Sequence, residues 1–409
     1  MRQFVGLRFN CQFIAAVGVT LIGALSTVTV PRAEAQTGYT YYVSPNGSDS
    51  QIGSATSPFA TIQHAVKVVA PGDTVVVLDG TYKGDITITS SGTAGHPITY
   101  MAQNKWGAKL VGTGSGDGSV VVGLTGGYNR VENFDVTGSD ANGINLATGN
   151  TVGAAASYNQ AIGNRVHDLT NMPCSSNSGS GISTGGGSDY LSVSHDDIIG
   201  NIIVNMQAVS GCSSGPYPTG IYIQTPYDVA ANNIVVNAGY GLETWHNANH
   251  DTIFGNTIIN SPHGGFIIGA GDAPSGASPA VGTLVQNNIS VGNLHGFIEE
   301  GPTYNNSYID NLVWNNGSCT PSSCTSNPTV VSGTVSADPK FVNNTGTASG
   351  SYALQAGSPA IGAGLALAGI PTDFAGSPRP QSGSTDIGAY VYVKSAVPAS
   401  PASLTGVVK

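Results

Sequence analysis

The sequence predicts an all-β solenoid: a single-stranded, right-handed parallel β-helix with a short capping helix at its N-terminal end. Three observations lead there. Gly supplies 57 of 409 residues, about twice the ordinary ~7%, while charged residues are only 9% against a usual ~25%. Short Val/Ile-rich segments recur with Asn at one fixed place, as in Ile162-Gly163-Asn164, Ile199-Gly200-Asn201 and Phe254-Gly255-Asn256. The steps from Asn133 through Asn164, Asn201, Asn233, Asn256, Asn288 and Asn311 are 31, 37, 32, 23, 32 and 23 residues. The step of 23 is one coil, and the longer steps are the same coil carrying a loop insertion.

The physical reason is that three short strands per coil cannot bury their apolar side alone. Stacking coils supplies ladder hydrogen bonds and a continuous interior. Gly and Asn take the sharp corners because both tolerate left-handed backbone. Stacked Asn side chains can bond to each other and to turn backbone, so Asn164, Asn201, Asn233, Asn256, Asn288 and Asn311 read as structural. A coiled coil is excluded by the shortage of charge, and collagen by the absence of a three-residue Gly period.

In chain order, residues 1–35 read as an export signal. Arg2 and Arg8 precede an apolar run, and Ala33-Glu34-Ala35 fits the cleavage rule. Residues 36–392 form the β-helix with its caps, and 393–409 a mobile Pro/Ser/Ala tail. Over 60–69, Ile62, Ala65, Val66 and Val69 share one helical face, suited to closing the open end of a solenoid. The segments 352–362 and 371–392 are expected to cap the far end.

A second column begins each time after Gly: Gly143-Ile144-Asn145, Gly181-Ile182-Ser183, Gly220-Ile221-Tyr222-Ile223-Gln224, Gly241-Leu242-Glu243-Thr244-Trp245, Gly265-Phe266-Ile267 and Gly296-Phe297-Ile298-Glu299-Glu300. Alternation turns Ile221 and Ile223 inward and leaves Asn145, Tyr222, Gln224, Glu243, Trp245 and Glu300 as an outward stripe. That stripe is the expected groove, walled by insertions near 170–180, 206–219 and 270–282. Glu299 falls inward by strict alternation, where a lone carboxylate is costly.

Charge narrows the partners. The chain carries a formal charge of −10, and no Lys or Arg occurs between Arg165 and Lys340. This excludes a nucleic-acid backbone as ligand of that span. After signal removal no segment is expected to span a membrane, and a secreted monomer is expected. Of the five Cys, Cys11 lies in the signal. The other four suit disulfides in an oxidising compartment, with Cys174–Cys212 joining two insertions and Cys319–Cys324 closing a short loop.

The opening Tyr41-Tyr42-Val43-Ser44-Pro45-Asn46-Gly47-Ser48-Asp49, then Pro58-Phe59-Ala60-Thr61-Ile62-Gln63-His64-Ala65, Pro71-Gly72-Asp73-Thr74-Val75 and Gly80-Thr81-Tyr82, resembles the start of many secreted pectate-lyase-like β-helix proteins. Leu354-Gln355-Ala356-Gly357-Ser358-Pro359-Ala360-Ile361 and Asp386-Ile387-Gly388-Ala389-Tyr390 resemble the C-terminal region of exported bacterial members. The resemblance covers about 39–392. It implies the fold and a carbohydrate-active class that includes lyases, hydrolases, epimerases and binding proteins.

Within that class the leading reading is a glycoside hydrolase acting on an extracellular polysaccharide or oligosaccharide. Hydrolysis needs two carboxyl groups across one bond. Glu243 and Glu300 take those roles, about 10 Å apart on equivalent positions two coils away. Trp245 and Tyr222 offer stacking faces, and Gln224 and His246 offer hydrogen bonds. This reading requires no cofactor. The first alternative is a polysaccharide lyase with Ca²⁺ at Asp196, Asp197 and Asp228, Asp251 also being available, and His195 or His250 as base. The second is a non-catalytic glycan-binding or cell-surface protein. His195, His250, Tyr158 and Tyr227 share one column, and Asp196, Asp228 and Asp251 follow in the next with Asn159 and Asn306. Such an Asp/Asn column is ordinarily a turn device.

Overall fold

The structure, a computed structural model, describes residues 38–116, 118–147, 156–170, 179–185, 193–206, 218–270, 279–347 and 349–394. The export signal, the Cys174–Cys212 bridge, the tail from 395 and most of the three expected wall insertions (171–178, 207–217 and 271–278) lie outside the described residues.

The chain winds as a right-handed parallel β-helix around three sheets. Among the described residues sheet 1 has 11 strands, from Thr40–Val43 to Val330–Ser332. Sheet 2 has 10, from Gly80–Lys83 to Val335–Ser336, and sheet 3 has 8, from Ile86–Ile88 to Phe297–Glu300. One coil runs Val229–Ala231, Ile234–Val236, Tyr240–Thr244 and then re-enters sheet 1 at Thr252–Phe254. Pairing is in register and parallel, for example Val229 with Thr252 and Ile234 with Thr257. The helix spans Ile62–Val66, shorter than 60–69, and buries Ile62, Ala65 and Val66. Thr61 caps it by accepting the His64 N–H, and Asp49 Oδ1 accepts the N–H groups of Ala60 and Thr61, both at 2.9 Å.

All three corners use one device, a residue in left-handed backbone. At the corner from sheet 1 to sheet 2 the left-handed positions are Asn133, Gly163, Gly200, Asn232, Gly255, Asn287 and Asp310, with φ between 51° and 66°. The next residue in each coil is the ladder Asn. Asn201 Oδ1 accepts the N–H of Asn164 at 2.8 Å, and Asn256 Oδ1 accepts that of Asn233 at 2.9 Å. Each Nδ2 also reaches the next ladder oxygen, at 3.0 Å for Asn233 to Asn256. The ladder Asn side chains are fully buried from Asn164 to Asn311. Asn133 belongs to the left-handed column and not to the ladder. The ladder position of that coil is Phe134, whose N–H meets Asn164 Oδ1 at 2.9 Å, so the first step is 30 residues and not 31.

The Gly near the start of the sheet 3 strands from Asn142–Asn145 onward has a packing reason at the central coils. A Cβ at Gly220 would lie 2.4 Å from Val235 Cγ1, and one at Gly241 would lie 2.2 Å from Ile258 Cγ2. Val235 and Ile258 are inward residues of sheet 2, so sheets 2 and 3 meet there with no room for a side chain.

The C-terminal segment is not the expected end cap. Residues from 341 to 392 lie along the outer face of sheet 2 as a strap. Strands Ile202–Val204, Ile234–Val236 and Thr257–Ile259 are buried on both faces, as near-continuous apolar runs require. Their outward residues Ile202, Val204, Ile234, Val236 and Ile259 form a second core with Tyr352, Leu354, Ile387 and Ala389. Buried Arg379 pins the strap: its Nε donates to Asn232 Oδ1 at 3.0 Å, its Nη1 to Asp386 O at 3.2 Å and its Nη2 to Gly388 O at 2.5 Å. Gly388 N–H in turn donates to Asn287 O at 2.7 Å.

Candidate functional site

The outward face of sheet 3 brings part of the expected stripe together. Tyr222 pairs directly with Glu243 across adjacent strands, and Asn145 aligns with Ser183 and then Tyr222. Tyr222 and Glu243 are half-buried. The Tyr222 hydroxyl lies 3.1 Å from His246 Nε2, with the rings tilted at 53°. Thr219 Oγ1 donates to Glu243 Oε2 at 3.0 Å. A phenol, an imidazole and a carboxyl group therefore share one patch. The Tyr222–His246 pair was not foreseen as a unit. Its signal was the 24-residue spacing: 21 residues carry Tyr222 to its partner Glu243, and His246 lies three further on.

The two-carboxylate arrangement fares differently. Glu243 aligns with Ile267 and then Ile298, whereas Glu300 aligns with Gly269. Glu300 is thus displaced by two strands and by two residues along the strand, about 12 Å in backbone terms. The two positions are not equivalent as expected. The Trp245 ring sits over Gly269, where a Cβ would be 2.3 Å from Cζ3. Gly269 therefore seats the indole on Glu300's row. Gln224 is not a groove ligand: it is buried and its Nε2 donates to Gly185 O at 2.8 Å.

Glu299 faces inward at the last coil of sheet 3, as alternation requires. The cost of that placement is met by four donors: Tyr308 Oη at 2.8 Å, Asn306 Nδ2 and Thr303 Oγ1 at 3.0 Å each, and the Ser326 N–H. It closes the core beneath the Cys319–Cys324 loop, whose disulfide is formed with Cα atoms 5.2 Å apart. Burial, followed by the Glu299 charge, drives the Tyr308 pKa well above the usual phenol range.

The remaining candidates lie at the corner from sheet 3 to sheet 1, away from the Tyr222 patch. Tyr128, Tyr158, His195, Tyr227 and His250 all have φ between 54° and 64°. Their rings stack in sequence at centroid spacings of 4.7, 4.9, 5.2 and 5.2 Å. His195 is held in this stack, its Nδ1 2.8 Å from Ser194 Oγ. It is not placed to act on a substrate over sheet 3.

Behind each ring lies a second buried ladder. Asn159 Oδ1 accepts from Asn129 N, Asp196 Oδ1 from Asn159 N, Asp228 Oδ1 from Asp196 N and Asp251 Oδ1 from Asp228 N, at 2.7–3.0 Å. The turn-device reading of this column is the observed one. It argues against calcium at Asp196, Asp197 and Asp228. Asp196 and Asp228 spend one oxygen each on backbone N–H groups, and Asp228 Oδ2 accepts from Thr225 Oγ1 at 2.5 Å. Asp197 faces elsewhere and accepts from Gln160 Nε2 at 2.6 Å. Burial raises the pKa of Asp228 to about 7 and, with the Asp228 charge next in importance, lifts Asp196 and Asp251 well above the carboxylate range. Among the described residues no group of three acid, His or Cys side chains converges as a metal site.

A further cluster went unread in the sequence. On the outer face of sheet 2, Asp135 Oδ1 takes Arg165 Nε at 2.7 Å and His167 Nε2 at 2.8 Å. His167 Nδ1 meets Asp168 Oδ2 at 2.8 Å, and Asn205 Nδ2 donates to Asp168 Oδ1 at 2.7 Å. Lys109 pairs with Asp135, which pairs with Arg165, so cations and anions alternate along one row.

Residues 41–207 match the family described as the Pel9A-like, right-handed β-helix region. An uncharacterized protein, YwoF, from Bacillus subtilis (strain 168) is 48% identical over 59 residues, which is 14% of this chain and 13% of that protein. The pectate lyase PEL9 of Emericella nidulans is 43% identical over 63 residues, 15% of each chain. The matches therefore span only a small part of those relatives' own length. The crystal structure of pectate lyase Pel9A superposes with a TM-score of 0.52 at 17% identity, covering 87% of this chain and 96% of that one. At that identity the likeness is one of fold.

Proposed function

From the premise that this chain is a pectate-lyase-like right-handed parallel β-helix protein, we propose that it is an exported enzyme that cleaves a uronate-containing polysaccharide by β-elimination on the outer face of sheet 3. The observation that carries the reading is the Tyr222 hydroxyl 3.1 Å from His246 Nε2, beside Glu243. The family match and the partial identity to a pectate lyase support a lyase over a hydrolase. The off-register Glu243 and Glu300 weaken the two-carboxylate alternative.

The step balances with these groups alone. His246 Nε2 accepts the phenolic proton, and the Tyr222 oxygen takes the proton from the ring carbon α to the uronate carbonyl. The β C–O bond breaks with its electron pair on the leaving oxygen. Tyr222 protonates that oxygen, and His246 returns its proton to the phenolate. The product sugar carries a C=C bond. The strands of sheet 3 bear Glu243 and Glu300 and no Lys or Arg. An ionised polyuronate would meet like charge there. The substrate unit in the groove is therefore an esterified uronate, whose carbonyl acidifies the α-proton without a cation.

The test is incubation of the mature protein with methyl-esterified and de-esterified polyuronates, following ultraviolet absorbance and reducing ends together. Both signals should rise on the esterified polymer, and both should vanish in Tyr222→Phe. Reducing ends without absorbance would establish hydrolysis instead, and an intact glycan retained by the protein would establish a binding role.

A further inference from the structure

We propose a second glycan-binding site, specific for a free uronate unit, in the cleft between the corner of sheets 2 and 3 and the root of the strap. The cleft measures about 380 Å³, room for one or two sugar rings. Its corner wall is Asn260, Gly292 and Asn315, consecutive members of one left-handed column with φ of 57°, 67° and 52°. Gly292 opens the floor: its neighbours above and below carry amide side chains, and a Cβ there would lie 2.8 Å from Asn260 Oδ1. The opposite wall is Asp338 and Lys340, just before the strap, with Gln355 of the strap itself.

The lining has the chemistry of sugar recognition. Trp314 is 43% exposed at the end of strand Leu312–Trp314 and offers an indole to a ring face. Amides and a carboxylate around it suit vicinal hydroxyls. Lys340 is the first cation after Arg165 in the sequence. Its ammonium donates to Gly357 O at 3.0 Å, which spends one of its three protons and fixes its position. The remaining two can meet a carboxylate. The cleft thus holds the cation that sheet 3 lacks. A partly esterified polyuronate would present free acid units here and esterified units to sheet 3.

Binding at this cleft does not depend on the β-elimination reading, and the experiment separates them. A galacturonic acid trimer is titrated calorimetrically into the full chain carrying Tyr222→Phe, so that no turnover occurs. Binding should weaken at least tenfold on adding Trp314→Ala and at least fivefold on adding Lys340→Met, with melting temperatures unchanged. A neutral glucose trimer should not distinguish Lys340→Met from its parent. Equal affinity for the acidic trimer in all three proteins, or no binding to the Tyr222→Phe parent, overturns the proposal. Lyase activity that survives Tyr222→Phe, with trimer affinity still falling in Trp314→Ala and Lys340→Met, would count against the groove reading alone.

Discussion

Asp228 Oδ1 accepts the backbone N–H of Asp196 at 2.8 Å, and both side chains are buried from solvent. Asp251 extends the row, so three consecutive coils hold carboxylic acids where Asn129, Asn159, Thr283 and Asn306 stand in other coils. The second oxygens of Asp196 and Asp251 have no hydrogen-bond partner among the described residues. Burial keeps these groups protonated in the fold, while the unfolded chain ionises them near pH ~4. Their contribution to stability is therefore fully present below that pH. It is lost as pH rises through the folded values, about 7 for Asp228. Thermal melts should show the protein more stable at pH 5 than at pH 8. Asp196→Asn should flatten that slope and raise the melting temperature at pH 8 by roughly 2–4 °C. A slope unchanged by the substitution would mean the carboxyls are not the source.

Asn256 occupies the middle of the other ladder, accepting from Asn233 and donating its own N–H to Asn288 Oδ1 at 2.9 Å. Asn256→Ala leaves the Asn233 N–H without its Oδ1 acceptor and removes the Nδ2 donor from the Ala230 carbonyl, at a cost of about 1–3 kcal/mol. The melting temperature should fall by several degrees while kcat on the native protein holds. A loss of kcat with no thermal effect would place this column in the chemistry instead.

Tyr222→Phe keeps the ring and removes the proton donor. Turnover should drop by about 10²–10⁴-fold, with KM little changed. Glu300→Gln, three strands from Tyr222 and off its row, should leave turnover within about twofold of the parent. Gly269→Ala should raise KM by displacing the Trp245 indole that lies on it. Steady-state rates on the same polymer compare all three.

His167 is clamped between two carboxylates. The Asp135 hydrogen bond raises its pKa above the ordinary ~6.5 despite burial, with Asp168 assisting. Burial disfavours the Asp135 charge, yet bonds from His167 and Arg165 outweigh it and hold its pKa at about 2. The His167 contribution to stability is present below its unfolded pKa and lost as pH rises through its raised folded value. The Asp135 contribution is present above its unfolded pKa and lost as pH falls through about 2. A proton NMR titration of His167 should show a midpoint above ~6.5, falling in Asp135→Asn. A midpoint indifferent to that substitution would dissolve the pairing.

The coil was legible because its corners repeat. Asn at the ladder, and Tyr or His followed by Asp or Asn at the third corner, recur at coil spacing whatever the loops do. Asn133 misled by one residue because Asn also serves the left-handed position next door, and sequence does not separate the two uses. The strap was hidden for a different reason. Runs such as Ile234-Val235-Val236 are apolar on both faces, but nothing in the run names what covers the outer one. The site was only partly legible. Alternation placed Tyr222 and Glu243 together, but it could not fix how many residues Glu300 had slipped along its strand. The Asp135–Arg165–His167 cluster joins residues about 30 apart whose charges look unremarkable singly.

A stack of coils in contact only with nearest neighbours can fray from either end, because each interface opens almost independently. The strap changes that statistics. Through Arg379 it binds the coil of Asn232, through Ala389 N–H it meets Thr257 Oγ1 at 3.0 Å, and through Leu365 O it holds Asn287. Three successive coils are thus coupled by one chain segment that must peel before any of them can separate. The middle of the solenoid, including the Tyr222 and Glu243 coils, should unfold as one cooperative block rather than coil by coil.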